Sequence, residues 1–303
     1  MYKKIIFLIV PVMLLVFGCR SGNKGSNADA DFDVPDSVVT EGELEVSDEA
    51  MSNIVQNISS PVEMAALIKA LGVPFSNRYL ASTDEVDNYN TNFKQALSLG
   101  IYGADLGYLN MYNKTTTVID YLSSIKKLSD ALKVGQFFDF TTLKRLATNN
   151  TNLDSLMYIS VHSFNQMDKY LRENNRSSLS TLIVAGVWIE GLYLATQVAK
   201  DAPSHDLAER IGEQKIILND LMIILNNYNR DPQFAKLIGK FQTIKDLYND
   251  VKITYTKGEP EAVEKDGMLM IIQNDKSIVH ITDEQLKAII QQTEKIRNEL
   301  LEI

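Results

Sequence analysis

The chain has 303 residues, of which 45% are hydrophobic and 23% charged, with 15 Gly, 7 Pro and a single Cys. That composition suits a globular protein and excludes a collagen-like chain, a disulfide-stapled miniprotein and a chain disordered from end to end. A net charge of −9 argues against a nucleic-acid partner, because gripping a phosphate backbone takes a concentration of Lys and Arg.

Lys3 and Lys4 precede Ile5 to Phe17, 13 residues that are apolar apart from Pro11. The run is shorter than the roughly 20 residues a bilayer-crossing helix needs, so it reads as the apolar core of a secretory signal. It ends in Val16-Phe17-Gly18-Cys19, and Cys19 is the only cysteine. A small residue directly before the cysteine resembles the bacterial lipobox, which implies cleavage after residue 18 and acylation of Cys19. Several acyl chains anchor stably where one would exchange, since each buried CH2 contributes about 0.8 kcal/mol. The expectation is a protein held to the membrane through its N-terminal lipid rather than spanning it. Arg20 follows the cysteine where an aspartate would signal retention at the inner membrane, and the next residues are not an acidic tract. The expected location is therefore the outer membrane, facing the periplasm.

Residues 19–60 then form an acidic tether. Between Arg20 and Ser60 nine acids face two bases and the apolar residues have no period, a linker composition. As a random coil this stretch would span about 35 Å.

The body starts at residue 61. Ser60-Pro61-Val62-Glu63 reads as a capping box with proline at the first helical position, and Gly72 as the stop. Apolar spacing by threes and fours predicts helices over 61–71, 87–112, 116–134, 141–148, 153–173, 178–200, 205–228, 232–255 and 283–301. Ser204, Asp231-Pro232 and the Thr282 to Gln285 segment mark three of the starts. The exception is Met268 to Ile272 and Ser277 to Ile281, apolar runs on either side of Gln273-Asn274-Asp275-Lys276, which predict a β-hairpin over 268–281. The fold class is mainly α, a multi-helix antiparallel array or bundle with one small β-hairpin near the C-terminus. Residues 61–303 make up that domain.

Two stretches could carry chemistry. Gly100, Gly103, Ala104 and Gly107 form a bald strip along one helix, with Tyr102, Tyr108 and Tyr112 beside it. Glycines inside a helix cost about 0.5 to 1 kcal/mol each relative to Ala, so the strip implies close approach of a neighbouring backbone or a ligand groove lined by the three tyrosines. The second stretch, Thr181 to Ala199, is apolar on every side, as a central core helix is, yet it carries Glu190. A carboxylate there must be paired, hydrogen-bonded or protonated. Asp105, an acid among small and apolar neighbours, is its natural counterpart. Facing each other, the two could split into a general acid and an ionised partner, with His162 or a tyrosine assisting, or they could merely fix packing.

Other templates fail. Acylation of Cys19 leaves no thiol for metal or redox chemistry, and His162, His205 and His280 are too far apart in sequence for a two-histidine helical site. There is no P-loop, Gly-x-Ser-x-Gly or His-Glu-x-x-His, so neither a metal nor a cofactor is expected.

The phrases Tyr102-Gly103-Ala104-Asp105-Leu106, Leu153-Asp154-Ser155-Leu156, Val187-Trp188-Ile189-Glu190 and Ile281 to Leu286 with Ile296-Arg297 resemble a group of uncharacterised, mostly helical lipoproteins of Bacteroides-type bacteria. The resemblance covers about residue 61 to the C-terminus. It implies the anchor and the fold class, and no activity. The reading of the whole sequence is a lipid-anchored binding or scaffold body with an envelope protein or peptide as partner. The alternatives are a periplasmic hydrolase using the carboxylate pair, and a carrier of an apolar ligand.

Overall fold

The computed structural model describes residues 68, 69, 71–148, 153–256, 258, 261–265, 268–272 and 276–302. The signal, Cys19, the tether over 19–60 and the capping box at Ser60 lie outside the described residues. Eight α-helices follow among the described ones: α1 (Asn92–Met111), α2 (Thr115–Ala131), α3 (Phe140–Thr148), α4 (Leu153–Glu173), α5 (Ser177–Asp201), α6 (His205–Asn226), α7 (Pro232–Leu247) and α8 (Asp283–Leu301). Strands β1 (Lys252–Thr256), β2 (Glu261–Lys265), β3 (Met268–Ile272) and β4 (Lys276–His280) sit between α7 and α8. The fold is mainly helical with a hairpin near the C-terminus, as the sequence predicts.

Local chemistry sets many of the boundaries. Asp231 accepts the N–H groups of Gln233 and Phe234 at 2.7 and 3.4 Å ahead of Pro232. Thr282 and Gln285 close a reciprocal capping box, with bonds of 2.8 and 3.2 Å. Helices α1, α2 and α4 end at Asn113, Lys133 and Asn175, which have φ near +55°. In each case the next N–H bonds back to a carbonyl five residues earlier: Lys114 to Leu109, Val134 to Ser129, Arg176 to Leu171.

Three expectations are corrected. Helix α1 begins at Asn92 rather than 87, because Asp84–Asn88 is a 3-10 turn and Thr91 caps the N–H of Lys94 at 3.2 Å. Helix α7 stops at Leu247 rather than 255, where the β-branched Ile253-Thr254-Tyr255-Thr256 stretch goes over to a strand. The two apolar runs predicted to pair with each other do not. Strand β3 pairs with β2 and β4 pairs with β1, from Glu261↔Ile272 to Lys265↔Met268 and from Lys252↔His280 to Thr256↔Lys276. These are two separate two-stranded ladders, and their registers differ by one residue, since four residues separate β1 from β2 and three separate β3 from β4.

Helix α5 is the centre of the fold. Its most apolar 18 residues have a mean hydropathy of 1.5, enough by length and composition to cross a membrane, and 89% of them are buried within the protein. Helices α1 and α5 run side by side in the same direction and touch through glycine. A Cβ on Gly100 would lie 2.0 Å from the Ile183 carbonyl oxygen, and one on Gly186 2.1 Å from that of Leu97. Close backbone approach therefore explains Gly100, whereas Gly103 and Gly107 have nothing within 4 Å of a would-be Cβ. On the other side of α5, Trp188 packs against Phe241 of α7 at 5.1 Å and donates to Gln214 of α6 at 3.2 Å. Helix α8 returns along the pair, its last carbonyls at Leu300 and Glu302 accepting from Lys94 at 3.2 and 2.5 Å.

Overpacking of this kind costs roughly 1 to 3 kcal/mol. Denaturant unfolding of Gly100→Ala and Gly186→Ala should show losses at or above that range. Gly103→Ala, on the open part of the same strip, should instead gain about 0.5 to 1 kcal/mol from better helix propensity.

Candidate functional site

The glycine contact brings the next turn of each helix together, and there Asp105 of α1 meets Glu190 of α5. Both carboxyls are 0% exposed. Arg297, reaching in from α8, takes Glu190 in a fork: Nε donates to Oε2 at 2.8 Å and Nη2 to Oε1 at 2.7 Å. The guanidinium also lies 4.3 Å from the ring centre of Tyr193, a cation–π contact. Burial works against its charge, and the Glu190 carboxylate more than offsets burial and holds Arg297 protonated.

Asp105 has a different role. Its Oδ2 accepts the Ala81 N–H at 3.0 Å, while Oδ1 is buried without a hydrogen-bond partner. Two like charges in one sealed space repel each other, which favours a proton on one of the carboxyls. Burial pushes the Asp105 carboxyl well above the ordinary range, and the Glu190 charge pushes it further, against the smaller opposing effects of Arg297 and the Ala81 N–H. Of the two acids, Asp105 is the one whose surroundings favour the protonated form.

Above this cluster runs a stretch without long helix or strand, residues 73–82, whose only regular feature is the 3-10 turn Asn77–Tyr79. Its main-chain groups are met by side chains of the helices. Tyr112 donates to the Val73 carbonyl at 2.6 Å, the Ser76 N–H donates to the Tyr108 hydroxyl at 3.1 Å, and Tyr102 donates to the Ser82 carbonyl at 2.8 Å. Tyr121 donates to the Ala81 carbonyl and Arg297 Nη2 to that of Tyr79. Buried backbone groups without such partners would cost as much as a lost hydrogen bond each. Burial raises the phenols of Tyr102 and Tyr121, and with Tyr108 beside it pushes that of Tyr112 up to about 12, so all three are neutral donors at physiological pH.

The structure thus brings together Asp105 and Glu190, and it places the hydroxyls of Tyr102, Tyr108 and Tyr112 against the main chain of residues 73–82. His162 takes no part: its ring lies on the exposed side of α4, stacked on Tyr158 at 6.0 Å. A cavity of about 500 Å³ opens between the α4–α5 and α6–α7 turns, lined by Asn175, Ser177, Tyr228 and Phe234 among others. Ser177 is 13 residues before Glu190 on α5, about 20 Å along the helix axis, so this cavity does not serve the carboxyl pair. Among the described residues no group of three His, Cys, Asp or Glu side chains could hold a metal ion.

The sequence reading missed Arg297, Tyr121 and Tyr193. Arg297 could have been found, because it falls seven residues after Ile290 and next to Ile296, on the side of α8 where Ile289, Ile296 and Leu300 are buried. No family model, curated protein or solved structure matches this chain. The geometry of the site is what there is to reason from.

Removing one partner of a buried ion pair typically costs about 3 to 5 kcal/mol. Arg297→Met should lose that much in denaturant unfolding. Arg297→Lys should recover only a minor part, since an ammonium cannot bridge both oxygens of Glu190 in a planar fork.

Proposed function

We propose that the chain is a lipid-anchored envelope protein, tethered through Cys19 to the periplasmic face of the outer membrane, whose helical body binds or scaffolds an envelope protein or peptide. Support for the anchor comes from the Lys3-Lys4 start, the short apolar run and the lone Cys19 after Gly18, together with the resemblance to helical lipoproteins of Bacteroides-type bacteria. The observation that carries the non-enzymatic reading is the sealing of the carboxyls. Asp105 and Glu190 are each 0% exposed, and three of their four carboxyl oxygens are committed to Arg297 and to the Ala81 N–H. General acid–base work needs the group within reach of the substrate proton, and residues 73–82 occupy the space a substrate would enter. In favour of a hydrolase stands the uneven protonation of the pair, which such chemistry also uses. An internal ion pair accounts for it without a substrate.

The anchor is tested by fractionation. Wild-type protein should sediment with membranes and carry the mass of an acylated cysteine at its mature N-terminus. Cys19→Ala should appear in the soluble fraction with the helical content of the wild type. Membrane-bound Cys19→Ala, or an unmodified thiol in the wild type, would contradict the reading.

A further inference from the structure

The two ladders between α7 and α8 are supported unequally. Strand β4 rests on α6: a Cβ added to Gly212 would lie 2.3 Å from Cγ1 of Val279, and Ser277 donates to Glu213 at 3.1 Å. Strands β2 and β3 have their extensive contacts only with each other. A ladder of two strands is marginal in water and becomes stable with a third strand or a helix behind it. Each of its strands also keeps one edge of unpaired main-chain N–H and C=O groups.

The two edges differ in sequence. Strand β2 reads Glu261-Ala262-Val263-Glu264-Lys265, and three charges in five residues guard its edge against pairing. Strand β3 reads Met268-Leu269-Met270-Ile271-Ile272, uncharged throughout and ending in two β-branched residues. The unguarded edge is that of β3.

We infer that the β3 edge is a self-association site, pairing antiparallel with β3 of a second copy of this chain into a four-stranded sheet ordered β2-β3-β3-β2. Self-complementarity favours a second copy over another strand. A two-fold axis at Met270 sets Met270 opposite itself, Leu269 opposite Ile271 and Met268 opposite Ile272, so every new cross-strand pair is apolar. The register within each copy extends these rows outward, since Lys265 pairs with Met268 and Glu261 with Ile272. Each end row of the sheet then runs Lys265, Met268, Ile272, Glu261 across the two copies, with opposite charges at its ends. Parallel pairing would instead set Lys265 level with Lys265 and Glu261 level with Glu261. Two chains of net charge −9 repel each other, and an uncharged edge is where they approach at least cost. Growth stops at two copies, because the outer edges of the sheet are then both guarded β2 strands.

Intermolecular disulfide formation tests the pairing in the full chain carrying Cys19→Ala, so that an introduced thiol is the only one. Directly opposed Cα atoms of an antiparallel pair lie about 4.5 to 5.5 Å apart, within the span of a disulfide. Under mild oxidation Met270→Cys should convert to a disulfide-linked dimer. Val263→Cys should stay monomeric, because the two Val263 positions of the sheet are three strand spacings apart, about 14 Å. Adding Leu269→Lys and Ile271→Lys, which face each other across the axis, should abolish the Met270→Cys dimer and leave the helical circular dichroism unchanged. The inference is overturned if Met270→Cys cross-links no faster than Val263→Cys, or if the dimer survives the two lysines. Should the lysine variant not fold, the comparison of the two thiols decides.

Discussion

The forked ion pair between Glu190 and Arg297, with the buried Asp105 beside it, is the interaction on which the rest of the body depends. Four parts of the chain that are distant in sequence meet there: α1, α5, α8 and the irregular residues 73–82. Its cause lies one turn earlier. Gly100 and Gly186 let the backbones of α1 and α5 come within contact of each other, and the next turn of each helix delivers an acid into the same sealed space. Two carboxyls there would repel unless one kept its proton and the other found a cation. Buried ion pairs add little net stability compared with apolar packing, and a half-satisfied one is costly. On this account the cluster acts chiefly to fix the arrangement: α8 fits only where Arg297 reaches Glu190, and residues 73–82 only where Ala81 meets Asp105.

Much of this was legible in the sequence where the governing chemistry is local. Asp231-Pro232 and the Thr282 to Gln285 box announce helices because a cap satisfies N–H groups two or three residues away. Glu190 stood out because a charge inside a helix apolar on every side demands a partner, and Asp105 was the acid in comparable surroundings. The hairpin register was not legible in the same way. The runs 268–272 and 277–281 carry no alternation to fix a face, whereas Asp266-Gly267, the two residues between paired Lys265 and Met268, is the stronger short-range turn signal.

Arg297 was harder to see. It shares α8 with Lys287, Glu294, Lys295 and Glu299, and which charge of such a helix turns inward is decided by what packs on it. Residues 73–82 were invisible to periodicity altogether, because their backbone is satisfied by hydroxyls 20 to 40 residues away. The tyrosines read as lining a ligand groove bond to the protein's own main chain there.

The protonation state of Asp105 is the most direct measure of this account. The 13C chemical shift of its carboxyl carbon, followed from pH 3 to 8 in the folded protein, distinguishes acid from carboxylate at that one site. Retention of the protonated value after exposed aspartates have ionised near their usual value of about 4 is the predicted result. An Asp105 that loses its proton together with the exposed aspartates, in a protein still folded, would contradict it.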